Sequence, residues 1–147
     1  NFLKIMADVD KWVYSAIIKD HFMKPRGFLL GEPKEGEFDA YGEVGSLACG
    51  DIIKVWIKVD KKTEEIKDLK WQTWGCATAI ASASAFAEMV MKNGGMKIEE
   101  AMNIKPKDIA DYLGGLPARK FHCSILADKA FKKAVEIYRN SRANINF

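Results

Sequence analysis

The hydrophobic pattern changes its period once, at Gly75 and Cys76, and this change limits the folds open to the chain. Before it, apolar residues alternate with polar ones along Asp51–Asp60 and Ile66–Trp74, a pattern typical of half-buried strands. After it, alanine dominates Ala77–Val90, which favours a helix with side chains small enough to pack closely on a sheet. We therefore expect an antiparallel sheet followed by a helix that covers it.

Segments on the N-terminal side complete this sheet. Tyr41–Leu47 predicts a short first strand, and Lys61–Glu64 predicts the hairpin turn between the second and third strands. An amphipathic helix is expected over Asp8–Phe22, and it should end near Lys24 because Pro25 disfavours a helical residue before it. The fold class is α+β, a small three-stranded antiparallel sheet with helices packed on one face.

The C-terminal half is predicted to be helical. Asn93–Gly95 suits a left-handed end for the alanine-rich helix, and short helices are expected at Ile98–Met102 and Lys107–Tyr112. A last amphipathic helix is expected to begin near His122 or Cys123.

Three further expectations concern packing. Gly27–Gly42, with several glycines and mixed charges, predicts an irregular connection over the surface. His21 lies in the last turn of the first helix, where a cation is favourable, and is expected to be structural. The four tryptophans are expected in the core or half-buried on the sheet: Trp12, Trp56, Trp71 and Trp74.

The composition fits one cored domain. Of the 147 residues, 48% are hydrophobic and 29% charged, so we expect a single domain over 1–147, with residues 1–8 flexible. The 23 basic and 20 acidic residues leave a net charge of +3, which gives no case for nucleic-acid binding. The longest uncharged run, Trp71–Ala87, contains glutamine, threonine and serine, so no membrane span is expected.

The three cysteines each lie next to a residue that suits a ligand-bearing turn, in the stretches Ala48–Asp51, Gly75–Ala77 and His122–Ser124. Cys76 and Cys123 are expected at helix N-termini, where the helix dipole lowers the pKa of a thiol. Taken singly, each cysteine is as readily a small buried hydrophobe. An odd number of cysteines does not suit a secreted disulfide framework, and without a Cys-x-x-Cys pair a zinc finger is not expected.

Several stretches resemble the iron-sulfur cluster scaffold proteins of the IscU/NifU type: Ala48–Asp51, Thr73–Ser84, Leu116–Ser124, Tyr14 and His21–Arg26. The resemblance implies a compact α+β fold of the IscU/SufE-like kind, with the three cysteines clustered at one end. It also implies a scaffold rather than an enzyme.

The resemblance implies a ligand set for a 2Fe-2S cluster. Cys49, Cys76 and Cys123 would supply thiolates, and His122 or Asp51 would complete the set. A dimer that bridges a 4Fe-4S cluster stays open, and Zn²⁺ binding in place of iron would be unsurprising because the same thiolates bind it well.

The resemblance also implies roles and partners. A cysteine desulfurase of the IscS/NifS type would deliver sulfur to Cys123, and apo-proteins would accept the finished cluster. Asp51 would keep the site labile, and Lys120 would either pair with Asp51 or offset the negative charge of the cluster. Ala118 and Arg119 depart from the segment that some members offer to an Hsp70-type chaperone, so dependence on that chaperone is doubtful. The implied compartment is the cytoplasm, or the mitochondrial matrix if a leader has been removed.

Two rival functions remain open. SufU-type proteins hold zinc on three cysteines and an aspartate and transfer sulfur, but they carry an insertion before the third cysteine and lack a histidine beside it. A cysteine hydrolase or transferase would use Cys76 or Cys49 as nucleophile and His122 as base, yet no oxyanion or substrate motif accompanies them.

Overall fold

The computed structural model describes residues 16–46, 50–115 and 125–145. Three strands form one antiparallel sheet in chain order: β1 (Ala40–Ser46), β2 (Asp51–Val59) and β3 (Ile66–Trp74). Five helices occur in the described ranges: α1 (Ala16–Met23), α2 (Ala77–Met91), α3 (Ile98–Met102), α4 (Pro106–Tyr112) and α5 (Ala127–Ile145). A 3-10 turn, Lys92–Gly94, follows α2.

The sheet has one buried face, as the alternation of apolar residues predicts. In the central strand β2 every second residue from Ile53 to Val59 is buried, and Val55 pairs with Gly42 on one side and Trp71 on the other. The hairpin between β2 and β3 is closed by Asp60, whose Oδ1 accepts the backbone N–H of Lys62 at 2.9 Å. The predicted fold class and the three strands are confirmed, with small differences at the strand ends.

Helices α2 and α5 cover the buried face. Alanines and serines of α2 are buried around most of its circumference, and α5 lies across β1 and β2. None of the helices in the described ranges is long and apolar enough to cross a membrane.

Gly42 sets the distance between α5 and the sheet. A Cβ on Gly42 would lie 2.1 Å from the carbonyl oxygen of Ala130 and 2.6 Å from the amide nitrogen of Ala134. Both atoms belong to the helix backbone and cannot move out of the way as a side chain can. The bare Cα of Gly42 is therefore a condition for the observed packing of α5 on β1.

Part of the predicted irregular connection adds to the edge of the sheet instead. The Leu29 N–H donates to the carbonyl of Trp71, and the Trp71 N–H donates to the carbonyl of Gly27, both at 2.9 Å. The indole N–H of Trp71 also donates to the Arg26 carbonyl at 2.6 Å. The expectation of a purely irregular surface segment is wrong for Gly27–Leu29, because these residues bond to β3 and Leu29 is buried.

The predicted ends of the first two helices agree with the structure, whereas the predicted start of the last helix does not. Helix α1 ends at Met23, next to the predicted stop, whereas its predicted start lies outside the described residues. Asn93 has a φ of 57° and begins a left-handed run of backbone, as expected. Helix α5 begins at Ala127, after the non-helical Ile125 and Leu126, so the predicted start near His122 or Cys123 is wrong. Cys123 itself lies outside the described residues, so the lowered pKa of its thiol stays a prediction.

Replacing Gly42 with alanine should destabilise the fold, because the added methyl group would overlap the backbone of α5. Overpacking of this kind costs about 1–3 kcal/mol, and more where the backbone must shift. Urea unfolding followed by circular dichroism would measure the loss. Gly45→Ala on the same strand is the matched control, because the nearest atom to its Cβ would be 3.6 Å away. Equal midpoints for the two variants would contradict the argument.

Candidate functional site

The junction between β3 and α2 holds one of the predicted ligands. Cys76 is the N-cap of α2, with extended backbone angles φ −76° and ψ 176°, and its carbonyl accepts the Ile80 N–H at 3.1 Å. The residue is partly exposed. The expected position of Cys76 at the start of the alanine-rich helix is confirmed. At such a position the unpaired N–H groups of the first helical turn favour an anion.

The carboxylate of Asp51 lies against this junction. Asp51 is the first residue of β2 and is only 4% exposed. A Cβ placed on Gly75 would lie 2.8 Å from Oδ1 of Asp51, so the carboxylate lies directly on the residue before Cys76. Its Oδ2 has no hydrogen-bond partner in the part of the chain that the structure describes. Buried charges in proteins are normally paired or coordinate metals, so this oxygen fits a cation ligand.

The strand register explains why these two residues share one end of the sheet. Ile52 of β2 pairs with Trp74 of β3, so Asp51 and Cys76 each lie one or two residues beyond this paired rung. The β2–β3 hairpin brings these two residues together although they are far apart in the sequence. The sheet therefore brings a thiol and a buried carboxylate to the same end of its strands.

The other predicted site residues lie outside the described residues: Cys49, Lys120, His122 and Cys123. Within residues 16–46, 50–115 and 125–145, no group of three or more His, Cys, Asp or Glu side chains is placed to hold a metal ion. The described part of the site is thus one thiol and one carboxylate, a soft and a hard donor. The roles of all six residues remain predictions.

An exposed apolar pair lies on the outer face of the sheet beside the site. Trp74 is 57% exposed, and its rung partner Ile52 is also exposed. The Nζ of Lys54 lies 5.1 Å from the centroid of the Trp74 ring. The expectation that Trp74 is core or half-buried is wrong, because its side chain projects from the face that no described helix covers. Trp71, on the opposite face, is buried as expected.

Comparison with known proteins adds a match over most of the chain. Residues 13–144 match the family described as NifU-like N terminal domain. The chain belongs to the NifU-like N-terminal domain family. The resemblance stated from the cysteine stretches is therefore confirmed.

Relatives of this NifU-like domain carry names from nitrogen fixation and from iron-sulfur cluster assembly. It is 42% identical over 130 residues to the nitrogen fixation protein NifU of Trichormus azollae, covering 87% of this chain and 42% of that protein. It is 42% identical over 144 residues to the mitochondrial iron sulfur cluster assembly protein 1 of Debaryomyces hansenii, covering 97% and 77%. It is 41% identical over 134 residues to the scaffold protein IscU 1 of Archaeoglobus fulgidus, covering 91% and 82%. The chain thus spans less than half of the NifU proteins it matches.

Solved structures share the fold of the NifU-like domain. A NifU-like N-terminal protein from Brucella abortus superposes with a TM-score of 0.63 at 19% identity, covering 92% of this chain and 98% of that chain. A putative scaffold protein for the SUF system from Fervidobacterium islandicum gives 0.60 at 21% identity, covering 83% and 96%. At these identities the likeness concerns the fold alone.

Sequence reasoning missed a polar cluster that holds α1 on α2 in this NifU-like domain. His21 is buried, and its Nδ1 lies 2.7 Å from the Ser84 hydroxyl, which also accepts the Arg26 N–H at 2.8 Å. Glu88 accepts from the Arg26 guanidinium at 2.9 Å and from the Tyr112 hydroxyl. The hydrogen bond to Glu88 and partial burial raise the pKa of Tyr112 to about 12. Helical spacing of the serine and glutamate on α2 was the available signal.

His21 has the expected structural role, but for a different physical reason. Burial, together with the nearby positive charge of Arg26, lowers the pKa of His21 below its usual 6.5, although Glu88 and Asp20 oppose the shift. The imidazole is therefore neutral near pH 7 and acts as a hydrogen-bonded core group. The expected structural role of His21 is confirmed, although it rests on burial and a hydrogen bond in the core rather than on a charge at the end of α1.

Asp128, in the first turn of α5, is a second buried carboxylate. It is 3% exposed, and its Oδ1 has no hydrogen-bond partner among the described residues. The Nζ of Lys129 lies 3.9 Å away, too far for a hydrogen bond. Burial raises the pKa of Asp128 above its usual range, while Lys129 and Lys132 oppose the shift.

The lowered pKa of His21 predicts a loss of stability in mild acid. Above about pH 6.5 both the folded and the unfolded chain hold a neutral imidazole, so the group has no effect. As the pH falls below 6.5, the unfolded chain binds the proton first, and the free energy of unfolding decreases. Urea midpoints at pH 7.5 and pH 5.5, measured in the presence of EDTA, would show the decrease.

The matched controls use the two histidines of the chain. His21→Gln should show a smaller fall between the two pH values, whereas His122→Gln should keep the wild-type fall. An equal fall in wild type and in His21→Gln would assign the acid sensitivity to other groups.

Proposed function

We propose that this chain is a scaffold on which iron-sulfur clusters are assembled and from which they pass to apo-proteins. Membership of the NifU-like family supports the proposal, and relatives that it largely covers are named as assembly and scaffold proteins. The structural observation that carries it is the buried Asp51 carboxylate, with Oδ2 lacking a hydrogen-bond partner among the described residues, on the glycine before Cys76. A carboxylate in that environment suits a site that binds a cation.

The proposed ligands of the cluster are three thiolates and one further group. Cys49, Cys76 and Cys123 bind through sulfur, and Asp51 or His122 provides the fourth ligand. Soft thiolates favour iron-sulfur centres over hard cations. An oxygen or nitrogen ligand in the fourth position is more easily exchanged than a thiolate, which suits a protein that must release its cluster. Lys120 offsets the negative charge of this group.

Sulfur comes from a cysteine desulfurase in the proposed sequence of events. The Cys123 thiolate attacks the outer sulfur of a persulfide on the desulfurase, so that the persulfide moves to Cys123 and the desulfurase cysteine leaves as a thiolate. Two electrons from an external donor then reduce each transferred sulfur to sulfide. Iron and sulfide combine on the thiolates as a 2Fe-2S cluster. The chain turns over no substrate of its own, so it is not an enzyme.

Reconstitution of the purified chain tests this function. Anaerobic addition of iron and sulfide should produce thiolate-to-iron charge-transfer absorption, and that absorption should be lost when Cys49, Cys76 or Cys123 is replaced with serine. Wild-type protein that forms no such chromophore, but binds zinc tightly and stimulates desulfurase turnover, would favour the SufU-type alternative. The same spectra, with iron and sulfide analysis, would distinguish 2Fe-2S from a dimer-bridging 4Fe-4S cluster.

Replacement of Asp51 extends the same experiment. Without this carboxylate, His122 remains as the fourth ligand. The cluster can then no longer be released through exchange of the Asp51 oxygen. Asp51→Ala should therefore bind a cluster whose absorbance decays several-fold more slowly in the presence of an apo-ferredoxin acceptor. An unchanged transfer rate would contradict the role of Asp51 in cluster release.

The proposed desulfurase surface is the exposed basic side of α5. Lys132 and Lys133 are exposed there, whereas Ala130 and Ala134 face the sheet. Among the charged residues from Arg119 to Arg142, seven are basic and two acidic, which suits an acidic patch on a partner. A helix face of this kind is otherwise an ordinary solvated surface.

Charge reversal tests this surface. Lys132→Glu with Lys133→Glu should weaken desulfurase binding at low salt by about tenfold or more, with a smaller effect at high salt, because exposed charges are screened. Isothermal titration calorimetry measures the affinity. The control pair is Lys61→Glu with Lys62→Glu in the exposed β2–β3 turn. Equal desulfurase affinity of the two double variants would contradict a role of α5 in the interface.

A further inference from the structure

Gly75 is a glycine whose backbone does not require one. The φ of Gly75 lies outside the left-handed region. Gly50, the residue before Asp51, differs, with a φ of 69°. A residue with a side chain could adopt the backbone of Gly75 without strain. The reason for glycine must therefore be sought in the space around its Cα.

That space is taken up mainly by the carboxyl group of Asp51. A Cβ on Gly75 would lie 2.8 Å from Oδ1 and 3.1 Å from Cγ of Asp51, and 2.9 Å from the Cβ of Ala79. Two of these distances are shorter than any van der Waals contact between such atoms. If Gly75 carries a side chain and the backbone stays in place, the carboxyl group of Asp51 must shift.

One oxygen of this carboxylate, Oδ2, has no hydrogen-bond donor among the described residues. Asp51 is only 4% exposed, so its side chain is enclosed largely by protein atoms. Packing against neighbouring atoms therefore contributes to its position. One of these neighbours is Gly75, which has no Cβ to occupy the space that the carboxyl group takes up.

We propose that Gly75 is a positioning residue, whose bare Cα seats the Asp51 carboxylate so that Oδ2 is held ready for a cation beside Cys76. The inference rests on the proposed function, because it assigns Asp51 the role of a ligand. Gly75 does not touch the metal; it acts through Asp51. Metal ligands must lie within about 0.2 Å of their preferred distances, so a displaced carboxylate is a poor ligand.

Co²⁺ is the probe for this inference, because its visible absorption reports binding without cluster assembly. Wild type, Gly75→Ala, Asp51→Ala and the double variant are titrated with Co²⁺ under anaerobic conditions. Loss of an orienting group around a metal site weakens affinity by about 10–100-fold, and we expect Gly75→Ala and Asp51→Ala each to weaken Co²⁺ binding by about tenfold. Affinity for a lone ion reports ligation, whereas cluster lifetime reports exchange, so this loss is compatible with a longer-lived cluster in Asp51→Ala.

The double variant separates the route through Asp51 from other routes. If Gly75 acts by seating the carboxylate, adding Gly75→Ala to Asp51→Ala should weaken Co²⁺ binding no further. A further loss in the double variant would overturn the inference, since the methyl group would then act through Cys76 or α2. Wild-type affinity in Gly75→Ala would overturn it as well. Absence of Co²⁺ binding by the wild type would instead overturn the proposed function, and the inference with it.

Two controls guard against a fold effect. Gly45→Ala lies near the Asp51 backbone with no contact shorter than 3.6 Å, and should bind Co²⁺ as the wild type does. Gly75→Ala with Ala79→Gly removes the second overlap and should stay weak in Co²⁺ binding; recovered affinity would overturn the inference. If Gly75→Ala unfolds, refolding on addition of Asp51→Ala supports the contact with Asp51, and continued unfolding contradicts it.

Discussion

The packing of backbone on backbone where α5 crosses β1 determines the geometry of the rest of the domain. At Gly42 the helix approaches so closely that no side chain fits between it and the strand. A sheet with one apolar face must bury that face against other elements, so it depends on the helices that cover it. Small residues make that cover dense: alanines along α2 and glycine on β1 allow short distances between layers.

This one-sided arrangement explains the location of the site. With both covering helices on the same face, the ends of the strands remain available for turns that carry ligands. The β2–β3 hairpin brings the start of β2 beside the end of β3, so Asp51 meets the residues that lead into α2. Catalytic and binding groups are commonly placed on such turns because a rigid scaffold beneath them supplies the precision that loops lack.

The strands and the alanine-rich helix were predictable because a period of two and a run of alanines are properties of the local sequence. The start of α5 was not, since helix boundaries depend on caps and packing that periodicity does not resolve. The exposure of Trp74 was also missed: alternation identifies two faces of a strand but not which large residue the helices leave uncovered. The Asp51 carboxyl group lies against Gly75, more than twenty positions later, and only tertiary structure brings the two together.

The two buried carboxylates bear on how a scaffold of this kind balances stability against function. An unsatisfied buried oxygen costs about 1–3 kcal/mol, a large share of the 5–15 kcal/mol that holds a domain of ordinary stability together. Asp128 adds to the cost at neutral pH, because burial raises its pKa and the charged form is the disfavoured one. A cation that binds only the folded chain returns part of this free energy by mass action. On the proposed function, loading therefore stabilises the domain and release destabilises it, so the carboxylate that weakens the fold also limits how firmly the cluster is retained.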